Sequence, residues 1–138
     1  MSGIKSRSLF ISHSWAYSDI YEKLVALLDA APRFLYRNYS VPKNDPIHNA
    51  PNVDALYAAI KQQMAFCDVV LIMAGKYATY SKWIQREIQI SKTDFRKPIV
   101  AIRPWASEQV SSVVRDAADR LVNWNTTSIV SAIRELDP

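Results

Sequence analysis

Among the acidic residues of this chain, Glu87 is the one best placed to do chemistry. It lies in Tyr80-Ser81-Lys82-Trp83-Ile84-Gln85-Arg86-Glu87-Ile88, downstream of the apolar run Asp68-Val69-Val70-Leu71-Ile72-Met73-Ala74. Trp83 and Glu87 are four positions apart, so a helix carries them on one face. That helix begins just past the C-terminal end of a buried strand, where open α/β sheets bind their ligands. A carboxylate there, beside an aromatic ring, is a candidate catalytic group. The alternative is a solvated acid on the helix surface, paired with Lys82 or Arg86.

The elements that must position this pair follow from the hydrophobic pattern. Leu9-Phe10-Ile11-Ser12 is a short apolar run rather than a strict alternation, which suits a strand covered on both faces. Phe34-Leu35-Tyr36, Val69 to Met73, Pro98 to Ile102 and Leu121 to Trp124 read as four more strands, the third the most hydrophobic and central. Between them, Tyr17, Ile20, Tyr21, Leu24, Leu27, Leu28 and Ala31 fall at helical spacing, closed by Pro32. Asn52 caps a helix that buries Val53, Leu56, Ile60 and Met64, and Ile84 and Ile88 form the buried stripe of the Trp83–Glu87 helix. A polar helix is expected over Glu108 to Ala118. Thr127 is expected to cap a last helix with Ile129, Val130, Ile133 and Leu136 inside.

Strands separated by helices predict an α/β fold: a three-layer, flavodoxin-like five-stranded parallel sheet, strand order 2-1-3-4-5, with helices on both faces. Its switch point falls between strands 1 and 3. His13, Ser14 and Trp15 from the first strand end, and Ala74, Gly75, Lys76 and Tyr77 from the third, would line that crevice. The polar stretch from Asn38 to Asn52, with Pro42, Pro46, Pro51, Lys43 and His48, is long for a connection in such a fold and favours a functional loop.

At 138 residues and 49% hydrophobic composition, the chain suits one compact domain over 1–138, with its core from 7 to 136. A net charge of +4, from scattered basic residues, favours anionic partners without marking a nucleic-acid or membrane patch. No apolar run reaches membrane-spanning length, and the single cysteine, Cys67, points to a reducing compartment, so cytoplasm is the expected location. Cys67 reads as a small core residue rather than a nucleophile.

With only Gly3 and Gly75, the chain lacks the glycines that a dinucleotide fingerprint or P-loop needs after the first strand. His13 and His48 lie on separate loops far from Cys67, so no metal site is expected. A magnesium-dependent phospho-acceptor site is excluded, since Ser and His, then Met and Ala, stand where its acidic residues belong. A triad from Ser12, Ser14, His13 and Asp19 is disfavoured, because neighbours in sequence rarely adopt that geometry.

Several segments together resemble the TIR-like domain family, in the branch of the bacterial Thoeris anti-phage defence protein, once labelled a domain of unknown function. Phe10-Ile11-Ser12-His13-Ser14 resembles the family's opening strand and loop, and Cys67 to Tyr77 its central strand. Trp83-Ile84-Gln85-Arg86-Glu87-Ile88 resembles the tryptophan-to-glutamate helix that carries the catalytic glutamate of NAD-consuming TIR domains. Lys97 to Trp105 resembles the branch's fourth strand and its Pro-Trp ending. Ala118-Asp119, Val122 to Asn125 and Ser128-Ile129-Val130 resemble its C-terminal segment. Two features depart from many TIR domains: the loop after strand 1 is neither basic nor glycine-rich, and the Asn38–Asn52 loop has its own composition.

The resemblance implies cleavage of the nicotinamide–ribose bond of NAD, which is substrate rather than resident cofactor. The product is expected to be an ADP-ribose derivative, in this branch cyclic or conjugated, that signals to a separate effector protein. Nicotinamide in NAD is already a cationic leaving group, so one carboxylate, Glu87, suffices to stabilise the charge developing on the ribose. Trp83 would pack on nicotinamide or ribose, or simply anchor its helix. His13 and Ser14 would touch ribose or phosphate, or Ser14 would cap a helix. Trp15 is a second aromatic wall or a loop anchor, and Tyr77 lines the crevice. Lys43 and His48 would meet the pyrophosphate or a neighbouring subunit of a homo-oligomer, and Arg103 would offer charge to a phosphate. Two rival readings remain: a non-catalytic module that signals by self-association, and a nucleotide-binding module without turnover. No nucleic-acid or membrane partner is expected.

Overall fold

The computed structural model describes residues 6–12, 18–39, 53–74, 82–103 and 110–137; side chains of helix residues 18–21, 53–57, 59, 82 and 83 fall outside that description. The strands are Ser6–Ile11 (β1), Leu35–Asn38 (β2), Val69–Met73 (β3), Ile99–Ile102 (β4) and Arg120–Val122 (β5). The helices are Ser18–Asp29 (α1), Val53–Met64 (α2), Lys82–Gln89 (α3), Ser112–Ala117 (α4) and Thr126–Leu136 (α5). All strands pair in parallel, in the order β2-β1-β3-β4-β5, as expected for this α/β class.

Alternation along the strands sorts the core into two layers. Leu9 and Ile11 of β1, Val69, Leu71 and Met73 of β3, and Val100 and Ile102 of β4 pack with Leu24 and Leu28 of α1 and Ile129 and Ile133 of α5. Phe10, Val70, Ile72, Ala74, Ile99 and Ala101 face the other way, against Ile60 and Met64 of α2, Ile84 of α3 and Val114 of α4. Every residue of β3 and β4 is buried, which is why those runs carry no polar position. Among the described residues no helix is long and apolar enough to cross a membrane.

Several boundaries differ from the sequence expectation. β2 starts one residue after Phe34 and runs on to Asn38, because its register against β1 continues through Leu9↔Asn38. β5 covers Arg120–Val122 rather than Leu121 to Trp124, with Asp119 already bonded to β4. α4 is shorter than Glu108 to Ala118. The Ser111 amide donates to the Ala74 carbonyl at 2.8 Å, holding that residue at the end of β3, and its hydroxyl caps the helix at Val114 N. α5 is capped by Asn125, not Thr127: the Asn125 side chain accepts from Ser128 N at 2.7 Å. Thr126 between them donates instead to the Leu27 carbonyl, also at 2.7 Å, and ties α5 to α1. Asn52, the expected cap of α2, lies outside the described residues.

Beyond Gln89 the helix widens into a π-helical turn, Ile90–Asp94, in which Phe95 N donates to the Ile90 carbonyl. Cys67 is buried, as expected of a core residue, and burial pushes its thiol up to about 12.

Candidate active site

α3 brings Glu87 inward because of its spacing. Ile84, Glu87, Ile88 and Ser91 fall at i, i+3, i+4 and i+7, one continuous stripe that faces the sheet. Ile84, Glu87 and Ser91 are fully buried and Ile88 half-buried. The solvated-surface alternative for Glu87 is thereby corrected: it is 0% exposed.

The partner that meets it comes from the sheet. Ser12 follows the last residue of β1, and its amide donates to the Leu71 carbonyl at 2.8 Å, extending the β1–β3 ladder by one residue. Being two positions after Phe10, it shares Phe10's face, the one that α3 covers. Its hydroxyl donates to Glu87 Oε1 at 2.7 Å, across 75 positions of sequence, and Ser12 too is 0% exposed. This distance is that of an ordinary O–H···O hydrogen bond.

A second serine holds the Glu87 backbone. Ser91 Oγ donates to the Glu87 carbonyl at 2.6 Å, with Met64 Sδ of α2 3.1 Å from the same oxygen. Such a bond to the carbonyl four residues back loosens regular helix geometry, and it sits where α3 passes into the π turn. Short π segments are common at functional sites.

A carboxylate and a hydroxyl therefore meet beside the end of β1, next to the β1–β3 switch point of the sheet. Of the other expected site residues, His13, Ser14, Trp15, Lys43, His48 and Tyr77 lie outside the described residues, as does the side chain of Trp83 on α3. Arg103 follows β4, one strand beyond β3, half-buried, with its amide on the Val122 carbonyl at 2.9 Å. It is not among the described contacts of Glu87. No group of three metal-ligating side chains occurs among the described residues.

Sequence reasoning missed Ser12 and Ser91 as members of this site. The available signal was a polar residue at the end of each apolar stripe: Ser12 after Phe10 on β1, and Ser91 after Ile84 and Ile88 on the helix.

The sheet order and the helix layers on both faces match a flavodoxin-like or TIR-like three-layer architecture. Residues 10–109 match the family described as Thoeris protein ThsB, TIR-like domain, and the chain belongs to that family. The match runs from the end of β1 through the segment after β4 and includes both Ser12 and Glu87. Membership supports a signalling role connected with NAD in Thoeris anti-phage defence. No curated protein matches the chain.

Proposed function

We propose that the chain is a NAD-consuming enzyme in which Glu87 stabilises the oxocarbenium-like ribose formed as the nicotinamide bond breaks. The product is an ADP-ribose-derived signal, cyclic or conjugated, that a separate effector protein reads in the cytoplasm during anti-phage defence. The observation that carries this reading is the wholly buried Glu87 carboxylate beside the β1 end, hydrogen-bonded to Ser12.

Burial of a carboxylate is expensive, because an ionised group gives up its hydration on leaving water. The same low-dielectric setting strengthens its attraction for positive charge developing on a ribose nearby. Family membership supports NAD as the source of that ribose. In this reading His13, Ser14 and Tyr77 contact the ribose and phosphates, Trp15 and Trp83 flank the rings, and Lys43, His48 and Arg103 offer positive charge to the pyrophosphate. No metal takes part.

A fully covered Glu87 also means that ribose contact requires the crevice to rearrange. The assay therefore covers high protein concentration and added extract from infected cells, either of which could supply that rearrangement. The test is mass spectrometry of the products formed from NAD. A cyclic or conjugated ADP-ribose supports the proposal, while intact NAD under every condition contradicts it.

A further inference from the structure

We infer that Ser12 is a positioning residue for the Glu87 carboxylate, which it holds in one orientation in the crevice; the inference rests on the catalytic reading of Glu87. The carboxyl of a glutamate rotates about its last side-chain bond in a broad, roughly two-fold well. A fixed donor on Oε1 narrows that freedom and so biases the plane of the group.

Ser12 is built to be such a donor. Its main chain is part of the sheet, through the 2.8 Å bond from its amide to Leu71 O, so the hydroxyl departs from a rigid base. Its side chain stands on a face otherwise lined by Phe10, Val70, Ile72 and Ala74, where an apolar residue would pack without any polar requirement. A hydroxyl buried there is costly unless it is bonded, and it donates to Glu87 at 2.7 Å. From the opposite side, Ser91 fixes the Glu87 main chain at 2.6 Å. The acid is thus held at its backbone by its own helix and at its carboxylate by the sheet. Orientation of this kind acts on the chemical step, since a small misplacement of a reacting group lowers the rate far more than it lowers substrate affinity.

The experiment compares kcat and KM for NAD in wild type, Ser12→Ala, Ser12→Cys and Ser12→Thr, with Glu87→Gln alongside and melting temperatures recorded for all. Cysteine keeps nearly the volume of serine but is a weak donor, and threonine keeps the hydroxyl. The expected result is a fall in kcat of about tenfold or more for alanine and cysteine, with KM changed less than about twofold and threonine close to wild type. Should alanine fail to fold, the cysteine variant carries the same comparison. Wild-type kcat in the alanine and cysteine variants, with Glu87→Gln inactive, overturns the role of Ser12 alone. A kcat that follows side-chain volume, lowest in threonine, also overturns it. Full activity in Glu87→Gln, or no turnover by wild type at high concentration and with extract from infected cells, overturns the catalytic reading of Glu87 and this inference with it.

Discussion

Lys92 of the π turn and Asp119, just before β5, form an ion pair, and the same Asp119 oxygen accepts the Ile99 amide at 2.8 Å. One carboxylate thus joins the start of β4, the approach to β5 and the turn that ends the Glu87 helix. The turn that follows the Glu87 helix is thereby tied to the β4–β5 side of the sheet.

Partial burial pushes the Asp119 carboxyl up. The hydrogen bonds from Lys92 and the Ile99 amide, with the charges of Lys92 and Arg120, outweigh that and hold it below its ordinary value. A carboxyl depressed on folding contributes stability above the unfolded value of about 4 and loses it as pH falls through the folded value. Asp119→Asn is therefore expected to be less stable than wild type at pH 7, with the gap closing below about pH 4. Urea denaturation at both pH values checks this. The effect is small, because the pair is about one-third exposed on each side.

Ser91→Ala removes the bond to the Glu87 carbonyl while leaving the core otherwise filled. A loss of about 1 kcal/mol in unfolding free energy is expected, the usual net worth of one internal hydrogen bond. Chemical denaturation of both proteins gives the difference directly. A gap near zero would mean that the π turn holds its shape without this bond.

Much of this architecture is legible in the chain itself. Short apolar runs separated by helical patterns specify a parallel sheet, and Val69 to Met73, buried at every position, identifies its centre. Less legible are features decided by competition between neighbours. Asn125 takes the α5 cap although Thr126 and Thr127 are also capping types, because Thr126 is drawn to the Leu27 carbonyl. β2 outlasts its apolar residues because backbone pairing with β1, not side-chain burial, sets its end. The burial of Glu87 could be read from its spacing after Ile84. Its bond to Ser12 could not, since two residues 75 positions apart meet only once the sheet order and the facing helix are both in place.

Cys67 gives a third prediction. Its thiol, pushed up to about 12 by burial, stays protonated at pH 8 and is packed against α2, where its sulfur lies 3.6 Å from the Gln63 carbonyl. Folded protein is expected to react with a thiol reagent at pH 8 at least about 100-fold more slowly than denatured protein. Timed alkylation followed by intact mass measurement tests this. Equal rates would place the thiol at the surface.

The central claim is that the Glu87 carboxylate does the chemistry. Glu87→Gln keeps the size of the side chain and an oxygen for Ser12 to bond, so it removes the ionisable group with little change in packing. The most direct measurement is nicotinamide release from NAD by wild type and Glu87→Gln at matched high concentration, with and without extract from infected cells. Release by wild type, reduced about 100-fold or more in the variant at unchanged melting temperature, is the predicted result. Equal release by both proteins, or none from either although both are folded, contradicts the account.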